Sequence, residues 1–342
     1  VGLSVAAFTG SYAVSGPLLA GRAGQRSRRS LVTALLVFTV ANLITALSPT
    51  IGVFLATRIV AGAAAGVYSP LSSAVASEVV DQQRRGRAVA MVLAGLAVGT
   101  VFGVPIGLFL ARLWGWRAAI LLIVIIGCAA LAGITLRGGE LPSIPASSAA
   151  DRLRSITSPR NLLTISVTLL TAVASLGLYT YLTVVLSAGS LASHQSLGIW
   201  VWGLGGALGA LGIGWLADRC DPLRLSAVIL AGLTCALIGM TQGHLPGVTV
   251  VSLFIWGLCG WSSLAPQQHV LLQANPADGA TAVAANASAN YLGSALGATL
   301  GSLLVAAHVA PDVLCGSAAG VAALALLCQI VRQRVGFQSV DA

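Results

Sequence analysis

The feature that most constrains this chain is a succession of long apolar runs almost free of charge. They lie near residues 3–21, 31–48, 51–76, 88–111, 116–136, 161–186, 194–217, 224–242, 247–272, 281–307 and 311–331. A helix of about 20 apolar residues, rising 1.5 Å per residue, crosses the roughly 30 Å hydrocarbon core of a bilayer. The runs lack the two-residue alternation of a membrane strand and are too long for one, so each is expected to be a transmembrane helix. Only 8% of the 342 residues are charged and 57% are hydrophobic, whereas a water-soluble domain carries roughly a quarter charged residues. The expected class is all-α, a polytopic membrane protein with about eleven spans.

The arginines orient these spans. All 18 basic residues are Arg. One side receives Arg22, Arg26, Arg28, Arg29, Arg84, Arg85, Arg87, Arg137, Arg152, Arg154, Arg160, Arg219, Arg224, Arg332 and Arg334, fifteen in all, while the other receives Arg112 and Arg117. Positive charge is retained in cytoplasmic loops, so the fifteen-arginine side is expected to be cytoplasmic, with the C-terminus on it. The net charge of +9 then reflects an anionic membrane face and calls for no nucleic acid. By the same alternation Val1 starts outside, without Met or a polar lead-in, which leads us to expect a further helix upstream. The first run has no basic stretch before it, unlike a cleavable signal peptide.

The polar stretch 137–160, rich in Ser, Pro and Arg, reads as a cytoplasmic linker between an N-terminal bundle over 1–136 and a C-terminal bundle over 161–342. An internal repeat supports that division. Gly95, Gly99, Gly103 and Gly107 recur every four residues in one run, and Gly293, Gly297 and Gly301 do so in another, 198 positions on. Such spacing puts the glycines on one helical face, where a neighbour can approach closely. Pro105, inside the first of these runs, removes a backbone hydrogen bond and should bend it. The charged loop Gly214-Trp215-Leu216-Ala217-Asp218-Arg219 has a degraded counterpart at Ala20–Arg29, about 194 positions earlier.

In this order and on these runs, the residues resemble a major facilitator superfamily transporter of the twelve-helix drug:proton antiporter and sugar efflux permease group, without the family's first helix. Gly214–Arg219 is similar to the family's cytoplasmic loop motif, Arg58-Ile59-Val60-Ala61-Gly62 with Gly66 to its Arg-and-Gly motif, and Gly99, Gly103, Pro105 and Gly107 to the Gly/Pro motif of antiporters. Gly115-Trp116-Arg117, Tyr179-Thr180-Tyr181 and the segment from Asn286 through Asn290 to Gly293 add to the likeness. The resemblance implies two pseudo-symmetric helix bundles around a cavity that opens alternately to either side. It also implies that Gly214, Asp218 and Arg219, with Arg26, Arg28 and Arg29, form a conformational latch. In the first-half loop Gly24-Gln25 stand where the family has Asp-Arg, so the acid of the latch is expected at Asp218 alone.

Arg58 lies about seven residues into its run, roughly 10 Å from the outer end by helical rise. A charge at that depth costs several kcal/mol unless paired or hydrated, in order-of-magnitude terms. Arg58 and Gly62 are therefore candidates for a coupling or cavity site, the alternative being an arginine that snorkels outward. Asn286 and Asn290 share a helical face and could hydrogen-bond between helices or meet substrate. Tyr179, Tyr181 and Gln267 are further cavity candidates, with at most one of the tyrosines facing the cavity. Trp114, Trp116, Trp200 and Trp202 fall near the outer boundary, as an aromatic belt should.

The nine acidic residues all lie in loops or at the ends of runs, Asp312 at the start of the last, so no proton-coupling carboxylate is visible in this chain. The six cysteines form no CxxC pair and are expected to be small buried hydrophobes. No metal, cofactor or catalytic residue is expected, and no motif for ATP use or hydrolysis is present. The expected function is secondary active transport of small molecules in a bacterial cytoplasmic membrane. Protons would be the coupling partner, efflux the direction, and a monomer the unit. The alternatives are uptake or facilitated diffusion of a metabolite, or a membrane protein that does not transport.

Overall fold

The computed structural model describes residues 2–23, 27–81, 88, 91–92, 95, 98–136, 141–142, 157–217, 219–274 and 279–338. Among them every long element is helical. The helices are α1 (Gly2–Ala23), α2 (Ser27–Leu47), α3 (Ile51–Glu78), α4 (Val104–Trp114), α5 (Trp116–Leu136), α6 (Pro159–Tyr179), α7 (Leu182–Ala188), α8 (Gln195–Ala217), α9 (Pro222–Met240), α10 (Pro246–Ser262), α11 (Leu264–Ala274), α12 (Gly279–Ala306) and α13 (Pro311–Gln338). Nine spans among the described residues are long and apolar enough to cross a membrane. Leu136, Leu211, Ile125 and Val228 stand exposed at 66–84% on their outer faces, a surface that hydrocarbon satisfies and water does not.

Three of the expected runs are not single regular helices. The run near 247–272 breaks at Ser263 into α10 and α11, because Pro266 has no N–H to offer the carbonyl one turn back. The run near 161–186 breaks at Thr180 and Tyr181 into α6 and α7. In the run near 88–111, Gly99–Gly103 form a π-helical turn leading into α4, with Pro105 in its first turn; such turns are wider than α-helix and concentrate at functional sites.

Caps set several helix starts. Thr50, Ser158 and Asp221 each accept a backbone N–H from the first turn of α3, α6 and α9, which supplies donors that the helix itself cannot pair. Ser158 and Asp221 are each followed by a proline, which needs no acceptor there.

Contacts divide the chain into two units, one of Ala7–Ser148 and one of Val1–Ala6 with Ala149–Ala342. Each is zipped internally by glycines that let helices running in the same direction touch. In the first unit, a Cβ at Gly62 or Gly66 of α3 would overlap the carbonyls of Phe8 or Tyr12 on α1. In the second, a Cβ at Gly257 of α10 would overlap the carbonyl of Trp202 on α8, and one at Gly206 would overlap the ring of Trp261. The Thr45–Thr57 hydrogen bond between α2 and α3 (2.8 Å) has its counterpart where Ser252 fills the space beside Gly239.

These contacts are the same contacts repeated. Residues of α1 and α2 map onto α8 and α9 at 194 positions, and residues of α3 onto α10 and α11 at 195. Phe8–Gly62 becomes Trp202–Gly257, Tyr12–Gly66 becomes Gly206–Trp261, and Thr45–Thr57 becomes Gly239–Ser252. A duplicated helix bundle has this property residue by residue.

Cys259 and Cys315 are buried, but Cys128, Cys220 and Cys235 are exposed and Cys328 is intermediate. The expectation that the cysteines are buried is corrected for those three. Cys128 and Cys235 lie within membrane spans, where the exposed face meets lipid and a thiol is tolerated as a small apolar group.

Candidate functional site

Arg58 is the one charged side chain within the first half of α3, and the Gly ridge explains where it points. Arg58, Gly62 and Gly66 are four apart and share the face turned toward α1. The Arg58 guanidinium lies over the Phe8 ring of α1, 4.5 Å from its centroid, and its Nη1 donates to Asn42 Oδ1 of α2 at 3.0 Å. Asn42, 1% exposed, is fixed in that orientation because its own Nδ2 donates to the Phe38 carbonyl at 2.8 Å. Three helices thus hold one cation on an aromatic face against one neutral acceptor. The only acid on α3 is Glu78, at its far end.

Arg117 shows what an arginine committed to structure looks like in the same unit. Its Nε and Nη2 donate to the carbonyls of Ala46 and Ser48 at 3.0 and 3.3 Å, and it covers the ring of Trp116 at 4.8 Å. It closes the C-terminal end of α2, where unpaired carbonyls and the helix dipole both favour a cation. Arg28 does the same for α5, donating to the Thr135 carbonyl at 3.3 Å.

The second unit holds an aromatic cluster whose members come from three helices far apart in the sequence. Tyr179 stacks on Trp202 with centroids 4.1 Å apart, and Trp256 and Trp261 meet Trp202 edge-on at 6.0 and 6.4 Å. Trp202 is 4% exposed, which corrects its assignment to an aromatic belt. Trp200 is 59% exposed; two residues along a helix is more than half a turn, so one tryptophan faces lipid and the next faces the core. Trp256 donates to Ser175 Oγ at 2.9 Å.

The remaining candidates are dispersed. Tyr181 is buried and its hydroxyl donates to the Ala298 carbonyl at 2.5 Å. Gln267 is buried in a network at one end of the unit. It donates to Gln329 Oε1 (3.3 Å) and accepts from Arg332 (3.4 Å), while Gln329 and Gln333 both donate to the Leu223 carbonyl (3.0 and 2.7 Å). Asn286 is completely buried with neither amide atom paired among the described residues, and Asn290 one turn on is partly exposed. Gly293 and Gly297 pack against α6, whereas a Cβ at Gly99 or Gly103 would meet no described atom within 4 Å and one at Gly107 only Ala119 at 3.9 Å. Asp218 and Arg26 lie outside the described residues; Gly214 and Arg29 are exposed, and Arg219 is exposed in the turn that leads to the cap at Asp221.

Helices of membrane-spanning length in two units, with an arginine inside one of the spans, are those of a polytopic helical membrane protein. The profile of the Major Facilitator Superfamily matches residues 1–332, and the chain belongs to that superfamily. It is 28% identical over 222 residues to the MFS-type transporter YtbD of Bacillus subtilis (strain 168), covering 64% of this chain and 56% of YtbD. To the chloramphenicol efflux pump MT0201 of Mycobacterium tuberculosis (strain CDC 1551 / Oshkosh) it is 28% identical over 269 residues, 75% of this chain and 64% of the pump. The chain thus spans less than two thirds of either relative. Among solved structures, the human organic anion transporter MFSD10 superposes with a TM-score of 0.73 at 17% identity, covering 96% of this chain and 83% of that one. That likeness shows the fold alone.

Proposed function

We propose that the chain is a secondary active transporter that exports small molecules across a bacterial cytoplasmic membrane in exchange for protons. The observation that carries this reading is Arg58, a charge kept at membrane depth on the side of α3 turned inward to α1 and α2. Ionisable residues inside membrane spans mark solute or proton paths. The direction draws on the likeness to the chloramphenicol efflux pump. The chain would work as a monomer by alternating access, with an N-terminal bundle over 1–136, a cytoplasmic segment 137–160 and a C-terminal bundle over 161–342. Gly62 and the glycines at 99, 103, 107, 293 and 297, with Pro105, serve the helix contacts of that motion. Tyr179, Asn286 and Asn290 supply polar contacts along the path. The latch is assigned to Gly214, Asp218 and Arg219, with Arg26, Arg28 and Arg29 opposite in the repeat.

The test is an accumulation assay on cells making the protein, with a fluorescent efflux substrate and a protonophore. Exclusion of the substrate that collapses on adding the protonophore is expected. Exclusion indifferent to the protonophore would remove proton coupling, and Asp218→Asn transporting as well as a Gly24 variant would remove the latch.

A further inference from the structure

The repeat allows a question that a single bundle does not: what stands at the Arg58 and Asn42 positions in the second unit? At 195 and 194 positions on, Arg58 maps to Leu253 and Asn42 to Ala236. Both are core residues, 0% and 3% exposed, in one apolar cluster. The register is fixed by the conserved geometry on either side, since Thr45–Thr57 maps to Gly239–Ser252 and Phe8–Gly62 to Trp202–Gly257. The same junction of three helices is therefore built once with a leucine and an alanine and once with an arginine and an asparagine. The fold does not require the polar pair, and apolar residues at such a junction avoid the desolvation of a charge.

What Arg58 is provided with also differs from the structural arginines. Arg117 spends two N–H groups on helix-end carbonyls; Arg58 has one neutral amide oxygen and a phenyl face, and the other edge of the guanidinium is uncommitted among the described residues. Asn42 cannot serve as a counter-ion, and among the described residues α1, α2 and the first half of α3 carry no acid beside the guanidinium. A guanidinium that is stacked, oriented by one hydrogen bond and met by no carboxylate among the described residues fits a planar oxyanion, which it can take through two parallel N–H···O bonds.

We propose that Arg58 receives an anionic group of the transported molecule, a carboxylate above all, and that the protein selects organic acids over organic cations. This rests on the transporter reading and narrows it. Phe8 and Asn42 are positioning residues: the ring holds the guanidinium plane, and the amide turns one edge away so that the other is presented.

The test uses the full chain, purified in detergent, with three naphthalene probes of one shape: 2-naphthoate, 2-naphthamide and (2-naphthylmethyl)trimethylammonium. Affinities are read from ligand-induced shifts of the unfolding midpoint, with exchange assays in proteoliposomes alongside. Naphthoate is expected to bind at least about tenfold more tightly than the amide, and the ammonium least. Arg58→Gln should remove the naphthoate advantage and leave the amide's affinity unchanged; Arg58→Lys, which keeps charge without the fork, should keep part of it. Because Arg58→Gln could impair folding, the Arg58→Leu/Asn42→Ala double variant reproduces the pair that the second unit uses, and it should unfold no lower than the parent while losing naphthoate selectivity. Preferential binding or exchange of the ammonium would overturn the proposal while leaving the transporter reading intact. So would naphthoate selectivity that survives in the double variant, or no binding of naphthoate at all. Selective naphthoate binding without protonophore-sensitive transport would instead keep the proposal and sink the coupling.

Discussion

Gly177 of α6 and Gly297 of α12 meet backbone to backbone: a Cβ on Gly177 would stand 2.6 Å from the Cα of Gly297, and one on Gly297 would stand 2.7 Å from the Cα of Gly177. Neither atom is at the end of a flexible side chain, so a methyl group on either residue must push the helices apart. Gly297→Ala and Gly177→Ala are each expected to cost about 1–3 kcal/mol, the usual range for an overpacked core. Gly203→Ala, where a Cβ would meet nothing within 4 Å, should be neutral or slightly stabilising, since Ala favours helix over Gly by about 1 kcal/mol. Unfolding midpoints of the purified variants decide it; equal midpoints for Gly297→Ala and Gly203→Ala would refute the contact.

Arg117 ties the start of α5 to the end of α2. Arg117→Ala should destabilise by about 1.5–3 kcal/mol, the range for hydrogen bonds to charged groups. It should leave the ratio of naphthoate to naphthamide affinity unchanged. A change in that ratio would mean that Arg117 belongs to the binding site and does not act as a clamp.

Gln329 is fully buried, accepting from Gln267 and donating to the Leu223 carbonyl. Gln329→Leu leaves the Gln267 amide buried without its acceptor, a penalty of about 1–3 kcal/mol. Gln267→Leu/Gln329→Leu should lose less than the sum of the single variants, because neighbours in one network are not additive. Simple additivity of the unfolding free energies would show that the two amides do not interact.

Asn286 is buried with both amide atoms unpaired among the described residues. Asn286→Leu removes that desolvation penalty with a side chain of the same branched shape and should stabilise the protein by about 1–3 kcal/mol. If the amide serves transported solute, as proposed, the exchange rate must fall as stability rises. A variant that gains stability and keeps its full exchange rate would reduce Asn286 to a tolerated defect.

The membrane spans were legible because length and lack of charge are properties of the run itself. Of the helix breaks, the one at Ser263 is marked in the sequence by Pro266, whereas nothing in the apolar composition marks the one at Thr180–Tyr181. Arg58 could be flagged from depth alone, but its partners could not: Asn42 sits in a different helix, and Phe8 in a third. Distance from a helix end places Trp200 and Trp202 alike at the boundary, and only the helical face separates the exposed one from the buried one. Gly177 belongs to no ladder and shows its importance only through Gly297. Gln329 and Arg332 stand at the end of the last run, and only packing shows that they are buried. The glycine ladder at 293 and 297 was readable as an interface because spacing fixes a face; which helix it faces was not.

The glycine face of α12 has a bearing on how the protein is made. Glycine, serine and asparagine along that face leave α12 the least apolar of the nine described spans, so as a free segment it partitions into hydrocarbon less readily than its neighbours. Its groove is completed by α6, which precedes it in the chain and is in the membrane first if the protein is inserted as it is synthesised. The order of synthesis then supplies α12 with a partner on arrival, and a permuted chain that placed α12 ahead of α6 would meet its barrier at the translocon, before any question of folding arose.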